Sequence, residues 1–150
     1  MRSPSWRVFV SLGIALAIGS TIRAQPQEVS KLDPAITDVV TGGNWSAGDR
    51  EGSFRLVVVT HGYEHLISRL YVQWLEAVPD SGETRLLSTA LVDAIPDGFW
   101  TLNRPRLVRV GGEWLVLVEG TDTHTDPPRR ARWRLAVGAP GELRVRSAAP

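Results

Sequence analysis

Cysteine is absent from all 150 residues of this chain, and only one of its 17 basic residues is a lysine. Without cysteine the protein has no disulfide, no cysteine-ligated zinc site, no thiol nucleophile and no lipid-modified N-terminal cysteine. The length is typical of one domain. A domain of this size without disulfides must be stabilised by burying a hydrophobic core.

Several motifs of catalysis are missing as well. The chain contains no G-x-S-x-G nucleophile elbow, no phosphate-binding P-loop and no dinucleotide-binding G-x-G-x-x-G. Only three histidines are available for acid–base chemistry or metal ligation. The sequence therefore predicts a protein that is not an enzyme, with no catalytic residues, no cofactor and no metal.

The N-terminal segment has the pattern of a secretory signal. Arg2 and Arg7 precede the uncharged run Val8–Gly19, and Ala24 follows as a candidate last residue before cleavage. The run is shorter than the ~20 apolar residues of a membrane-spanning helix. We expect residues 1–24 to be a signal peptide, and the remaining chain to be secreted or periplasmic without an integral membrane span.

The chain after residue 24 is predicted to be all-β. Residues 25–35 are polar, lack periodicity and suggest a flexible lead-in, whereas residues 36–150 alternate apolar and polar positions in short runs. The clearest run is 129–137, in which four apolar side chains share one face and arginines the other: Ala131, Trp133, Leu135 and Val137 against Arg130, Arg132 and Arg134. About eight such strands are expected, in a single antiparallel domain.

A β-sandwich is favoured over an up-and-down barrel. No segment is long enough for the crossover connection of parallel strands. The central hairpin Ser53–Val78, with its turn at 62–64, begins with a strand that is apolar on both faces. Pro96 and Pro105 interrupt the later strands and suit a chain that changes sheet. For residues 66–78 a helical spacing also fits, although the aromatic and β-branched content favours a strand.

One segment resembles a catalytic motif. His61, Glu64 and His65 match the H-x-x-E-H of inverted zinc proteases, which requires one helical turn to place both histidines on one side. Here the motif follows three valines and contains Gly62, which favours strand and turn. A metal-dependent hydrolase using these residues is therefore only a secondary hypothesis, and the preferred interpretation is a hairpin turn.

A second segment, Gly120–Pro128, contains Asp122, His124 and Asp126 at alternating positions. Carboxylates and imidazole on one edge are ligands for divalent cations. Threonine, aspartate and proline are also ordinary turn formers, so a polar loop without metal is the expected structure.

Charge is distributed unevenly along the chain. Residues 25–103 contain 5 basic and 11 acidic side chains, a net of −6, and residues 104–150 contain 9 basic and 5 acidic ones, a net of +4. Such asymmetry can mark a face that binds polyanions. We expect instead that the two halves pair across one sheet, where charged cross-strand pairs are modestly stabilising. The arginine face lacks interleaved exposed aromatics, so no nucleic-acid partner is expected.

The segment Gly43-Asn44-Trp45, near the start of the antiparallel strands, resembles the G-x-W motif of lipocalins and related barrels. The resemblance implies a barrel with a cavity for a small apolar ligand, and an arginine of a late strand, Arg144 or Arg146, packed over Trp45. The leading expectation remains an exported, non-enzymatic binding or interaction module of the bacterial envelope or periplasm. Its partner would be a protein or an envelope component, and a lipocalin-like carrier is the alternative.

Overall fold

The computed structural model describes residues 31–79 and 81–149, and strands are the only regular elements in them. The nine strands are β1 (Ile36–Ala47), β2 (Arg50–His61), β3 (Ile67–Ala77), β4 (Thr84–Leu91), β5 (Trp100–Leu102), β6 (Arg106–Val110), β7 (Glu113–Asp122), β8 (Arg129–Val137) and β9 (Leu143–Ala149). Within these residues no helix is long and apolar enough to cross a membrane.

The strands form two antiparallel sheets. The first sheet has the order β1-β2-β3-β4, and the second sheet has the order β5-β7-β8-β9, with β6 also pairing with β7. The sheets pack against each other and neither closes on itself, so the predicted β-sandwich is confirmed and the up-and-down barrel is not formed. There are nine strands where about eight were expected, and the shortest of them is Trp100–Leu102.

The β2–β3 hairpin is the centre of the first sheet. Its register runs without a shift from Gly52 opposite Glu76 to His61 opposite Ile67. Alternate side chains of both strands point into the core: Phe54, Leu56 and Val58 of β2, and Leu70, Val72 and Trp74 of β3, all at most 1% exposed. Residues 67–77 are therefore a strand, and the helical alternative for this segment is not adopted.

The chain changes sheet between β4 and β5, in the connection that contains Pro96. Val92 begins this connection, is buried, and donates its backbone N–H to the carbonyl oxygen of Leu70 at 2.9 Å. Pro105 has a different role, because it separates β5 from β6 within one sheet. Both strands pair with β7, and the buried proline between them has no N–H to donate to the ladder.

Tryptophan side chains connect the two layers of the core. Four of the five tryptophans beyond residue 24 are buried: Trp45, Trp74, Trp100 and Trp133. The indole nitrogen of Trp74, in the first sheet, donates a 3.1 Å hydrogen bond to the carbonyl oxygen of Gly138, beyond the end of β8. Trp100 and Trp133 meet edge to face with ring centres 5.1 Å apart. These residues form the core rather than an exposed aromatic platform.

The sequence predicts that the first strand, which begins at Ile36, is broken by Gly42 and Gly43, but β1 continues through both glycines to Ala47. The register shifts between Gly42 and Trp45, which accommodates the extra residues as a bulge. Gly43 has a φ of 64°, and a Cβ there would lie 2.9 Å from the Phe54 ring. Only glycine fits this backbone conformation and this close approach.

The barrel implied by Gly43-Asn44-Trp45 is not formed. The two sheets stay open and do not form a barrel around a cavity. The Trp45 indole nitrogen donates to the carbonyl oxygen of Ser53 at 3.2 Å. Among the described residues, Arg144 pairs with Glu142 and Arg146 pairs with Glu113, and neither forms a cation–π contact with Trp45.

The predicted signal peptide, residues 1–24, lies outside the described residues, as does most of the predicted lead-in at 25–35. The compact unit that contains all nine strands begins at Leu32. Its first hydrogen bonds come from Asp33, which accepts the backbone N–H of Ala35 on its side chain and that of Ile36 on its carbonyl oxygen. This turn leads directly into β1.

Candidate functional site

The H-x-x-E-H segment forms the turn of the β2–β3 hairpin. His61 is the last residue of β2, and Glu64 and His65 lie exposed in the loop that precedes Ile67. Gly62 has a φ of 100°, and a Cβ there would lie 2.0 Å from the carbonyl oxygen of His65. The segment is therefore the connection of a hairpin, as the sequence predicts, although it spans 62–66 rather than 62–64. It lacks the helical turn that the protease motif requires.

The second segment, with Asp122 and His124, forms the β7–β8 loop. Asp122 is the last residue of β7, and its carboxylate accepts the backbone N–H of His124 at 3.1 Å and lies 3.7 Å from the Arg129 guanidinium. Thr125 accepts the backbone N–H of Arg129 at 2.9 Å and donates to the Asp122 carbonyl oxygen. These hydrogen bonds define the conformation of the loop and hold His124 in place, while Asp126 is exposed.

The two loops meet at one end of the sandwich. The imidazole ring centres of His65 and His124 are 4.4 Å apart, with an angle of 64° between the ring planes. Phe99, just before β5, stacks on His124 with ring centres 3.8 Å apart and lies 5.4 Å from His65. The sequence singled out the two segments separately. It offered no signal for their contact or for Phe99, because the contact depends on how the two sheets pack.

Within residues 31–79 and 81–149 there is no group of three or more histidine or acidic side chains arranged to hold a metal ion. His61 has no aromatic contact with the other two histidines in this part of the chain. The structure thus brings His65 together with His124, and not with His61 as the motif would suggest.

A second candidate site is the outer surface of the second sheet, which we call the arginine face: Arg104, Arg106, Arg130, Arg132 and Arg134. On β8, Arg130, Arg132 and Arg134 alternate with the core positions, as predicted, and they lie opposite Thr121, Glu119 and Leu117 of β7. Arg106 of β6 lies on the other side of the same Leu117. Arginine side chains therefore line this surface on both sides of β7.

Two adjoining hollows occupy the arginine face. One, of about 660 Å³, is lined by Arg130, Arg132 and neighbouring polar groups, and the other, of about 340 Å³, by Arg104, Arg106, Arg132, Arg134 and Leu117. They share Asn103, Glu119 and Arg132. Among the described residues, Glu119 is the only carboxylate that lines either hollow.

The arginine face carries more positive charge than its carboxylate partners neutralise. Arg132 is 3.0 Å from Glu119, and Arg104 is 3.9 Å from Asp38. Across residues 31–79 and 81–149, Arg106, Arg130 and Arg134 form no ion pair. The side chains are well exposed, at 71% for Arg104 and 76% for Arg132.

The expected charge pairing across one sheet is wrong. Of the eight ion pairs among the described residues, only Arg104–Asp38 joins the acidic residues 25–103 to the basic residues 104–150. The acidic half builds the first sheet, and the basic half builds most of the second. Because the two halves lie in different layers, most of their charged groups cannot meet.

The first sheet contains one nearly buried carboxylate, that of Glu76, whose side chain is 8% exposed. Arg50 donates to one carboxylate oxygen at 2.5 Å, and Arg85 donates to the other at 2.5 Å. The hydrogen bond from Arg50, followed by that from Arg85, lowers the pKa of Glu76 to about 2. Both carboxylate oxygens are used in these ion pairs, so this group stabilises the fold and is not available to a ligand.

No protein-family model, no curated protein and no solved structure matches this chain.

Proposed function

We propose that the protein is an exported, non-enzymatic binding module that holds an extended anionic polymer of the cell envelope on its arginine face. The observation that carries the proposal is the excess of exposed guanidinium groups on one side of one sheet. Guanidinium groups bind carboxylate and phosphate groups through two parallel hydrogen bonds. A partner with repeated anionic groups is the chemical complement of such a surface.

The spacing of the arginines favours a polymer over a small anion. Alternate residues of a strand are about 7 Å apart, so Arg130 and Arg134 are separated by about 13 Å along β8. Arg106 and Arg134 flank the same residue of β7, which places their backbones about 10 Å apart. Each guanidinium group would therefore meet a different anionic group of an extended ligand.

The chemistry of the face argues against nucleic acid as that polymer. Single-stranded nucleic acids are usually held by aromatic side chains on which the bases stack. In the part of the chain that the structure describes, Trp133 is the only aromatic residue that lines the two hollows, and it is 3% exposed. A polymer recognised through its carboxylate or phosphate groups alone fits this surface better.

The location in the envelope rests on the N-terminal pattern of Arg2, Arg7 and the uncharged run Val8–Gly19. Intact-mass measurement of the secreted or periplasmic fraction from the native host is expected to show the loss of about 24 residues. A cytoplasmic protein that retains residues 2–24 would contradict the export part of the proposal.

Binding is tested with two probes on the untagged protein, polygalacturonate for carboxylates and polyphosphate for phosphates. Replacement of Arg130, Arg132 and Arg134 by alanine is expected to weaken polymer binding by about tenfold or more. For the parent, the logarithm of the binding constant should fall linearly with the logarithm of the salt concentration. The matched control replaces Arg55 and Arg69, two arginines of the first sheet, by alanine and should bind like the parent. The proposal fails if neither polymer binds, or if the control loses as much affinity as the triple variant.

A further inference from the structure

The contact between His65 and His124 supports an inference that is independent of the arginine face. We infer that these two imidazoles bind one divalent transition-metal cation, such as Cu²⁺ or Zn²⁺, between the β2–β3 and β7–β8 loops. Imidazole nitrogen is a common ligand for these ions. The two protein ligands leave the remaining coordination positions to solvent or to a small anionic ligand.

The ring separation is close to the one that a shared ion needs. With zinc–nitrogen distances of 2.0–2.1 Å and tetrahedral angles, two ligating nitrogens lie about 3.3 Å apart, which puts the ring centres about 5 Å apart. The observed separation of the ring centres is 4.4 Å. Both side chains are exposed, and the χ2 angle of histidine is broadly distributed, so rotation about χ2 changes where the ring nitrogens point.

The ligand atoms of both rings are free to bind within the described part of the chain. None of the hydrogen bonds there uses a ring nitrogen of either His65 or His124, and the only one formed by His124 uses its backbone N–H. Phe99 stacks on the face of the His124 ring. This stacking covers a face of the ring and not its edge, where the nitrogen lone pairs lie.

The backbone positions both histidines before any ion binds. Gly62 permits the tight turn that carries His65, since any side chain at that position would collide with the His65 carbonyl oxygen. Asp122 and Thr125 hold the loop of His124 through side-chain hydrogen bonds. Preorganised ligands lose less conformational freedom on binding, which favours an ion at this place over one held by two flexible side chains.

The third histidine provides the internal control. His61 resembles His65 in exposure and lies in the same hairpin, but it ends β2 opposite Ile67 and takes no part in the contact between rings. If metal binding were only a general property of exposed histidines, His61 would contribute as much as the other two.

The test is calorimetric titration of the untagged protein with Zn²⁺, and electron paramagnetic resonance with Cu²⁺. One ion per chain is expected, with a copper spectrum that shows two imidazole nitrogens. His65→Phe and His124→Phe keep an aromatic ring in the cluster but remove the ligand atom, so each should weaken binding by about tenfold or more while the circular dichroism spectrum stays unchanged. Binding should also weaken in acid, because imidazole ligates only when neutral.

His61→Ala should bind within about twofold of the parent, a change well below 1.4 kcal/mol. The inference is overturned if no ion binds at one per chain. It is also overturned if the phenylalanine variants bind as tightly as the parent, or if His61→Ala loses as much affinity as they do. Loss of polymer binding by the arginine variants has no bearing on this result, because the histidine pair lies outside the arginine face.

Discussion

The two sheets share one core but differ on their outer surfaces. Across the outer surface of the first sheet, one row of mostly apolar side chains crosses all four strands: Val39, Val57, Tyr71 and Leu91. Several charged side chains of the first sheet form ion pairs with one another, as Glu76 does with Arg50 and Arg85. On the second sheet, outward positions of β6 and β8 carry arginines, of which Arg106, Arg130 and Arg134 form no ion pair among the described residues.

This difference separates stability from recognition. Ion pairs that use both oxygens of a carboxylate satisfy the charged groups internally, whereas arginines without such partners remain available to a ligand. Surface arginines without partners contribute little to folding. We therefore expect changes in the first sheet to act mainly on stability, and changes on the arginine face to act mainly on binding.

The largest expected effect lies in the core, where the two sheets should behave alike. Trp74 of the first sheet and Trp133 of the second are 0% and 3% exposed. Trp74→Ala and Trp133→Ala should each cost about 3–5 kcal/mol of unfolding free energy, because each leaves a large cavity. Denaturant unfolding measures this. Arg132→Ala, on the opposite face from Trp133, should change the free energy by at most about 0.5 kcal/mol. Equal losses from Arg132→Ala and Trp133→Ala would refute the strand register.

Two strand glycines give the next comparison. A Cβ at Gly120 of β7 would lie 2.9 Å from a Leu102 methyl and 3.1 Å from the Trp133 ring, whereas a Cβ at Gly42 of β1 would meet nothing within 4 Å. Gly120→Ala should therefore cost about 1–3 kcal/mol through overpacking. Gly42→Ala should be neutral or stabilise by up to about 1 kcal/mol, because it restricts the unfolded chain. Thermal unfolding of both variants measures the contrast, which would be lost if Gly120→Ala were as stable as the parent.

The core effects follow from alternation that is visible in the sequence, whereas the glycine effects follow from packing distances that only the structure supplies. The bounds predicted for β8, 129–137, agree with the structure, because apolar side chains alternate with arginines along most of this strand. The prediction failed at β1, where Gly42 and Gly43 looked like a strand end. A glycine that accommodates a bulge and one that ends a strand have the same local sequence, and only the packing of Phe54 against Gly43 distinguishes them.

The candidate sites were less accessible to prediction than the strands. Arg130, Arg132 and Arg134 could be assigned to one face from their spacing, but the position of Arg106 beside them depends on the β6–β7 register. The contact between His65 and His124 joins loops that belong to different sheets. Local periodicity carries no information about which loops meet at the end of a sandwich, so this pair could not be predicted.

A smaller and pH-dependent effect concerns the first sheet. The pKa of Glu76 is about 2 in the folded protein, below the ~4.3 of an unfolded glutamate. Between these values the unfolded state binds up to about one more proton at this group, so stability falls as the pH drops from 5 toward 2. Glu76→Gln should be less stable at neutral pH and should show a flatter fall in acid.

Thermal unfolding midpoints between pH 7 and pH 2 measure this slope. The control is Glu119→Gln, which removes the carboxylate of the ion pair with Arg132 on the second sheet, where both side chains are substantially exposed. This variant should keep the acid dependence that Glu76 produces. If Glu76→Gln loses stability in acid as steeply as the parent, the ion pairs with Arg50 and Arg85 do not set that dependence.

The smallest expected effect is on the arginine face itself. Arg134 forms no ion pair in the described part of the chain and flanks Leu117 opposite Arg106, at about 10 Å between backbones, which equals one Debye length at 0.1 M salt. Arg134→Glu should therefore change the unfolding free energy by at most about 0.5 kcal/mol. Any gain in stability at low salt should be lost at high salt, because salt screens the charges.

Arg55→Glu in the first sheet should cost more, about 0.5–1.5 kcal/mol, because Arg55 donates a 2.7 Å hydrogen bond to Gln73. Denaturant unfolding at low and high salt compares the two. A loss at Arg134 as large as that at Arg55 would mean that the arginine face, too, is held by contacts within the fold.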